Sequence, residues 1–310
     1  MSLDSFTLYY GEHLLHSHPC AIRGHIPVYT RRMGRSVLIP ALCILIGHSC
    51  ADAFQATLLP SWINPGDAFL VRVSEAGKSE IPTASLSGKE ILLSRCGDTC
   101  FIGIGAVALE TKPGRHLVHV QAGKRSVHLP LQVRRVRFPT FFISLPKEKV
   151  FLSPHDRERA EREEERLRLI WMSTTDRMWE GRFLLPLDHS ISDAFGIKRV
   201  MNQKVTSVHK GVDIRGKEGE QVRAANNGRV ILAEELFFGG NTVILDHGMG
   251  IFTIYMHLSS FKVRLDDPVS TGDPIGTVGS TGRSSGPHLH FGVKLQGMNV
   301  NPVSFVKLML

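Results

Sequence analysis

The sequence predicts an all-β (mainly β) chain: two β parts joined by a charged helix. Three observations lead there. Residues 57–136 hold short apolar alternations cut by turn residues. Residues 154–180 carry opposite charges at helical spacing. From about Arg182 the chain is rich in strand-forming runs and glycine, with no long amphipathic helix. The chain has 310 residues, 42 % of them hydrophobic, enough for two modest cores. The reading in segments is 1–53 as an N-terminal extension with a signal peptide, 54–140 as a small β-sandwich, 141–180 as a helical linker and 181–310 as a second β-domain.

Residues 30–56 look like an export signal. Arg31, Arg32 and Arg35 form a basic start, Val37 to Gly47 a short apolar run broken by Pro40, and Ala51-Asp52-Ala53 a small-residue cleavage site. Arg31-Arg32 also fits a twin-arginine signal, and Met33 is an alternative start. The apolar run falls short of the roughly 20 residues that a membrane span needs, which favours cleavage over a retained membrane anchor. Cleavage after Ala53 removes Cys20, Cys43 and Cys50 and leaves Cys96 and Cys100 in "RCGDTC". In an oxidising compartment, a small disulfide-closed loop is the expected use of that pair.

In residues 57–136, "AFLVRV" puts Phe69, Val71 and Val73 on one face, and "VHLPLQV" does the same for Val127, Leu129, Leu131 and Val133. "NPGD" (64–67), "SGKE" (87–90) and "QAGK" (121–124) read as turns. His116 and His119, three apart, face opposite sides of a strand and read as surface residues. Nothing in this part carries visible chemistry.

Ser153 and Pro154 open the helix as cap and first turn. Arg157–Glu161, Glu158–Arg162 and Arg159–Glu163 are i,i+4 pairs, and Leu167, Ile170 and Trp171 can dock its end. This reads as a solvated linker; a shield over an active site is the sharper alternative.

In the second β part, "GRVILAEE", "GNTVILDHG", "GIFTIYMHL" and "PIGTVGSTG" are strand runs, which predicts an antiparallel domain. "GPHLHFG" puts His288 and His290 on one side of a strand. Candidate partners are His209 and Asp213 in "HKGVD", and His257 in "YMHLS" on a face shared with Tyr255. His247 in "LDHG" reads as a turn residue. A fully extended chain separates His209 from Asp213 by about 13 Å. Both can therefore reach one metal only if the segment bends, which Gly211 permits. Two histidines and a carboxylate suffice for a catalytic zinc with an open position, and spare histidines can handle protons. Spacing alone leaves open which of His288 and His290 binds metal. No nucleophilic elbow, phosphate-cradling loop or aromatic nucleic-acid platform competes.

"HKGVDI", "YMHLS" and "TGRSSGPHLHFGV", followed by "VNP" at 300–302, resemble the lysostaphin-type (LytM-like) zinc metallopeptidases. "ISDAFGIKR" and "GNTVILDHG" are similar to that family too, so the resemblance runs from about Phe183 to Pro302. It implies a duplicated-hybrid-motif β-domain and one zinc ion (Zn2+) per chain, held by His209, Asp213 and His290, with His257 and His288 as non-ligand catalytic histidines. Lys198 stands where relatives often carry arginine; Arg199 is the substitute. Family members cut peptides of peptidoglycan. The export signal and the net charge of +8, which suits an anionic wall, agree with an envelope or periplasmic enzyme. Nothing suggests a pentaglycine-specific targeting module, so a D-alanyl–diaminopimelate cross-link is the expected bond cut. Some family domains have lost ligands and only activate other wall hydrolases; the presence of all five residues favours an enzyme. No nucleic-acid partner is implied.

Overall fold

The computed structural model describes residues 54–77, 80–144, 152–203 and 205–310. The expected export signal, but for its last three residues, lies outside them, as do Met33, Cys20, Cys43 and Cys50. No helix among the described residues is long and apolar enough to cross a membrane. Strand makes up 47 % and helix 9 %, so the mainly β expectation holds.

Among the described residues the strands before the helix are β1 (Gln55–Leu59), β2 (Trp62–Ile63), β3 (Ala68–Ser74), β4 (Thr83–Leu86), β5 (Lys89–Ile91), β6 (Ser94–Arg95), β7 (Phe101–Ala106), β8 (Gly114–Ala122), β9 (Arg125–Val133) and β10 (Thr140–Ile143). Helix α1 is Pro154–Trp171. Then come β11 (Ile191–Asp193), β12 (Lys198–Met201), β13 (Val205–Val208), β14 (Gly211–Arg215), β15 (Gln221–Arg223), β16 (Gly228–Leu236), β17 (Gly240–Asp246), β18 (Ile251–Phe261), β19 (Pro268–Val269), β20 (Pro274–Val278), β21 (His288–Leu295) and β22 (Met298–Val300). A turn of helix, α2 (Pro302–Val306), follows.

The first nine strands form two sheets, ordered β1-β3-β7-β6 and β2-β9-β8-β4-β5. They enclose one apolar cluster that takes in Phe69, Val71, Val73, Leu131 and Val133, as their alternation predicts. The other face of β3 is buried as well: Ala68 and Leu70, with Ile102 and Ile104 of β7, join the second core beside Trp179, Phe183 and Phe305. Polar contacts seal this junction. Asn301 Nδ2 donates to Asp67 Oδ1 (2.8 Å), and the Ala68 N–H donates to Ser304 Oγ (3.1 Å). Cys96 and Cys100 are joined in a disulfide next to this face.

Helix α1 is capped by Ser153, whose side chain accepts from the Asp156 N–H. Arg159–Glu163 and Glu158–Arg162 form ion pairs (2.8 and 2.5 Å); Arg157 and Glu161 form none with each other among the described residues. Leu167, Ile170 and Trp171 pack on Leu232, Leu236, Ile244, Phe252 and Ile254. The helix end is thus docked, and Glu163 Oε2 also accepts from the Phe237 N–H (2.8 Å).

The second part is built on a ten-stranded sheet whose pairings are all antiparallel, with β14, β21, β18, β17 and β16 side by side. Its apolar positions alternate inward: Leu289, Phe291 and Val293 of β21 meet Tyr255 of β18 and Ile214 of β14. A small sheet, β10-β12-β13, flanks it and brings the chain that leads into α1 beside β12.

Candidate metal centre

The site begins with a change of sheet. His209 still pairs with β12's lead-in: its N–H donates to Ile197 O (2.8 Å) and its carbonyl accepts from the Gly196 N–H (2.9 Å). Two residues later the chain is β14, paired with β21 in register Gly211↔Gly292, Asp213↔His290 and Arg215↔His288. The switch at Lys210 makes the bend that the sequence required. Gly211 serves it through space, since a Cβ there would stand 2.5 Å from Phe291 O and 2.7 Å from His290 Nε2.

The bend brings three side-chain atoms together. His209 Nε2 lies 3.0 Å from Asp213 Oδ1 and 3.0 Å from His290 Nδ1, and Asp213 Oδ1 lies 2.8 Å from His290 Nδ1. The His209 Nδ1–H donates to Ala194 O (2.9 Å), which turns the Nε2 lone pair inward. Two imidazoles and a carboxylate thus point acceptor atoms at one spot, and a cation would satisfy them all. Ligand atoms on a tetrahedral zinc are about 3.3 Å apart, close to this triangle. The set fits a small cation that prefers N and O donors, with room for one more ligand.

His257 and His288 stand beside this triangle. Their rings are 4.9 Å apart, and His257 is 6.2 Å from the His290 ring. His288 Nδ1–H donates to Gly286 O (2.8 Å), leaving Nε2 3.8 Å from Asp213 Oδ1. His257 Nδ1–H donates to Thr281 O (2.9 Å). The expectation that His257 shares a face with Tyr255 is overturned. Tyr255 is buried against Phe291, whereas His257 joins the histidines across the sheet. The cause is a bulge: the β17–β18 register shifts between Asn241 and Val243, and His257 has φ +66°.

Burial raises the Asp213 carboxyl, but the His209 and His290 rings facing it at 3.0 and 2.8 Å outweigh this and hold the group far below the ordinary carboxylate range. Burial pushes His209 down, and Asp213 more than reverses this. Burial keeps His257 neutral, at about 4. His247 lies in the turn between β17 and β18, as its sequence setting suggests, and is fully buried there, its Nδ1–H donating to Asn227 O (2.7 Å) and its Nε2 hydrogen-bonded to Thr253 Oγ1 (2.7 Å).

The five residues line an open cleft of about 1080 Å³. Arg199 lines it too, ion-paired with Asp193, while Lys198 is exposed one residue away. Ile143, Leu152 and Arg159, from the segment around α1, complete one wall. The orienting carbonyls of Ala194, Thr281 and Gly286 carry no side-chain signal, so sequence reasoning missed their role. Arg283, Phe237 and Phe238 were also missed as cleft residues.

Comparison with known proteins places the same segment in one family. The description "Peptidase family M23" matches residues 207–302. The "DD-carboxypeptidase/endopeptidase Mpg" of Neisseria meningitidis serogroup B is 40 % identical over 114 residues, 37 % of this chain and 26 % of that protein. The "Murein hydrolase activator NlpD" of Escherichia coli K12 is 34 % identical over 122 residues, 39 % of this chain and 30 % of that protein. The chain thus matches under a third of the length of these curated relatives. A solved structure of a putative peptidase M23 from Pseudomonas aeruginosa has a TM-score of 0.61 at 28 % identity, covering 78 % of this chain and 94 % of that one. That likeness takes in more than the matched segment. Residues 207–302 are a domain of peptidase family M23.

Proposed function

We propose that the chain is a zinc-dependent endopeptidase that hydrolyses peptide cross-links or stem peptides of peptidoglycan in the cell envelope. The observation that carries this is the triangle His209 Nε2, Asp213 Oδ1 and His290 Nδ1, open to a cleft that two further histidines line. These three atoms would hold one ion. When bound, zinc supplies Lewis-acid chemistry: it polarises a carbonyl and makes water more acidic.

The remaining work falls to the chain's own groups. His257, neutral and with Nδ1–H committed to Thr281 O, offers a lone pair at Nε2 and serves as the base toward water in the cleft. His288, with Nδ1–H committed to Gly286 O, places its Nε2 3.8 Å from Asp213 Oδ1, from where, when protonated, it would steady the developing oxyanion and serve the leaving amine. The cleft is open enough to admit an extended peptide.

An activator without catalysis is the second reading, favoured by the likeness to the Escherichia coli activator. One experiment separates them. Residues 54–310 are incubated with purified sacculi, with zinc or with a chelator, and soluble products are identified by mass spectrometry. Zinc-dependent conversion of cross-linked dimers to monomers supports the enzyme and identifies the bond, with D-alanyl–diaminopimelate the expected one. No release by protein that binds one zinc per chain sinks it.

A further inference from the structure

Three arginines line the cleft: Arg159, Arg199 and Arg283. Two are neutralised in place. Arg159 pairs with Glu163 and Glu235, and Arg199 pairs with Asp193. The cleft's remaining carboxylate, Asp213, is engaged by the histidines. Arg283 has no acidic partner among the described residues. Its guanidinium rests 5.7 Å from the centre of the Phe238 ring, and Nη2 donates one hydrogen bond to a weak acceptor, Met201 Sδ (3.7 Å), which leaves most of its N–H donors without a partner among the described residues.

The backbone that carries Arg283 is held in place. Its N–H donates to Phe238 O (3.0 Å). Gly282, at φ +68°, lies so close to the Gly239–Gly240 backbone that a Cβ would come within 2.2 Å of Gly240 N. Thr281, just before, accepts through its carbonyl from His257, and the same loop runs on through Gly286, which orients His288. A cation on an aromatic ledge therefore sits on the loop whose carbonyls orient the two histidines that the proposed reaction uses. Its planar fork suits a carboxylate, which can accept two parallel hydrogen bonds from it.

We propose that Arg283 is a specificity-determining residue: it binds a free carboxylate of the peptide, so the preferred substrate is an anionic peptide rather than one amidated or uncharged at that position. The proposal rests on the peptidase reading above. It adds to that reading a substrate charge and a residue that selects it. Phe238 supports the guanidinium from one side and leaves the other to the ligand.

The test uses the full chain, wild type and Arg283→Gln, with two synthetic cross-linked peptides that differ only in whether the diaminopimelate carboxyl is free or amidated. For the free-acid peptide the variant raises KM by about 10- to 100-fold while kcat stays within about twofold, because a charge-assisted bidentate contact is lost. For the amidated peptide the variant and wild type have equal KM. Arg283→Lys restores part of the lost affinity for the free acid, since charge remains and the fork does not. Bound zinc and the unfolding midpoint match wild type in both variants. Equal KM changes on both peptides, or none on either, overturn the role of Arg283. Calorimetric binding of both peptides to an inactive His288→Ala background gives the same comparison without turnover. If wild type cuts neither peptide, the peptidase reading fails, and the calorimetric discrimination still decides for or against Arg283.

Discussion

Asp213 and His290 are direct cross-strand partners on β14 and β21, with their side-chain atoms 2.8 Å apart. The register of one antiparallel pair therefore fixes two corners of the candidate metal triangle, and the bend at Lys210 supplies the third. Slipping that pair by one residue would turn Asp213 and His290 to opposite faces of the sheet.

Loss of one corner and loss of a neighbouring histidine should have different signatures. His290→Ala is expected to purify without stoichiometric zinc. His257→Ala is expected to keep one zinc per chain and to lose turnover by about 10²- to 10⁴-fold. Metal analysis of both proteins beside their rates checks this; zinc retained by His290→Ala would refute the ligand assignment.

Gly211→Ala should disturb the site from behind. The new Cβ must push on a strand carbonyl and on the His290 ring. A loss of about 1–3 kcal/mol in stability is expected, together with weaker zinc binding. Denaturant titration with and without a chelator separates the two effects.

Stability should fall on mild acidification because of His247. Burial lowers its pKa from 6.5 to about 4, so the unfolded chain takes a proton that the native fold refuses. The sign follows: stability is full above pH 6.5 and is lost progressively down to about pH 4, by about 3 kcal/mol in all for this group. Urea titrations at pH 7 and pH 4.5 measure it, and an NMR titration that puts the His247 imidazole near its ordinary value would contradict it.

Leu70→Ala should lower the unfolding midpoint of the whole described unit rather than of the N-terminal strands alone. Leu70 is 1 % exposed and belongs to the core that contains Phe183 and Phe305. A cost of about 2–5 kcal/mol is expected. Two separated thermal transitions, with only the first moved, would argue against a shared core.

Local patterns carried much of this structure. The alternation of Phe69, Val71 and Val73 placed one face of β3 correctly, and turns fall at 64–67, 87–88 and 123–124, within the three windows read from the sequence. The serine cap and the docking residues of α1 were equally legible. Period-two reasoning failed where the period breaks. The bulge at His257 re-aims that ring, and no side-chain pattern announces it. The burial of Ala68 and Leu70, on the other face of β3, has no local signal, because Trp179, Phe183 and Phe305 beside them lie more than a hundred residues downstream. His247 is the turn residue that its setting suggests, but nothing local announces its burial, which comes from Phe183 closing over it edge-on at 5.1 Å. In each case a tertiary partner decided what the local signal left open.

Strand β3 belongs to two interiors at once, so the seam between the halves of this protein is a shared wall rather than a flexible tether. Such halves do not trade freely as cassettes. A fragment beginning near residue 181 would leave Phe183 and Phe305 without the side chains that cover them, and its failure in solution would say nothing about catalysis. The same wall gives an engineer a handle: fitting a different first half means matching the two faces of a single strand.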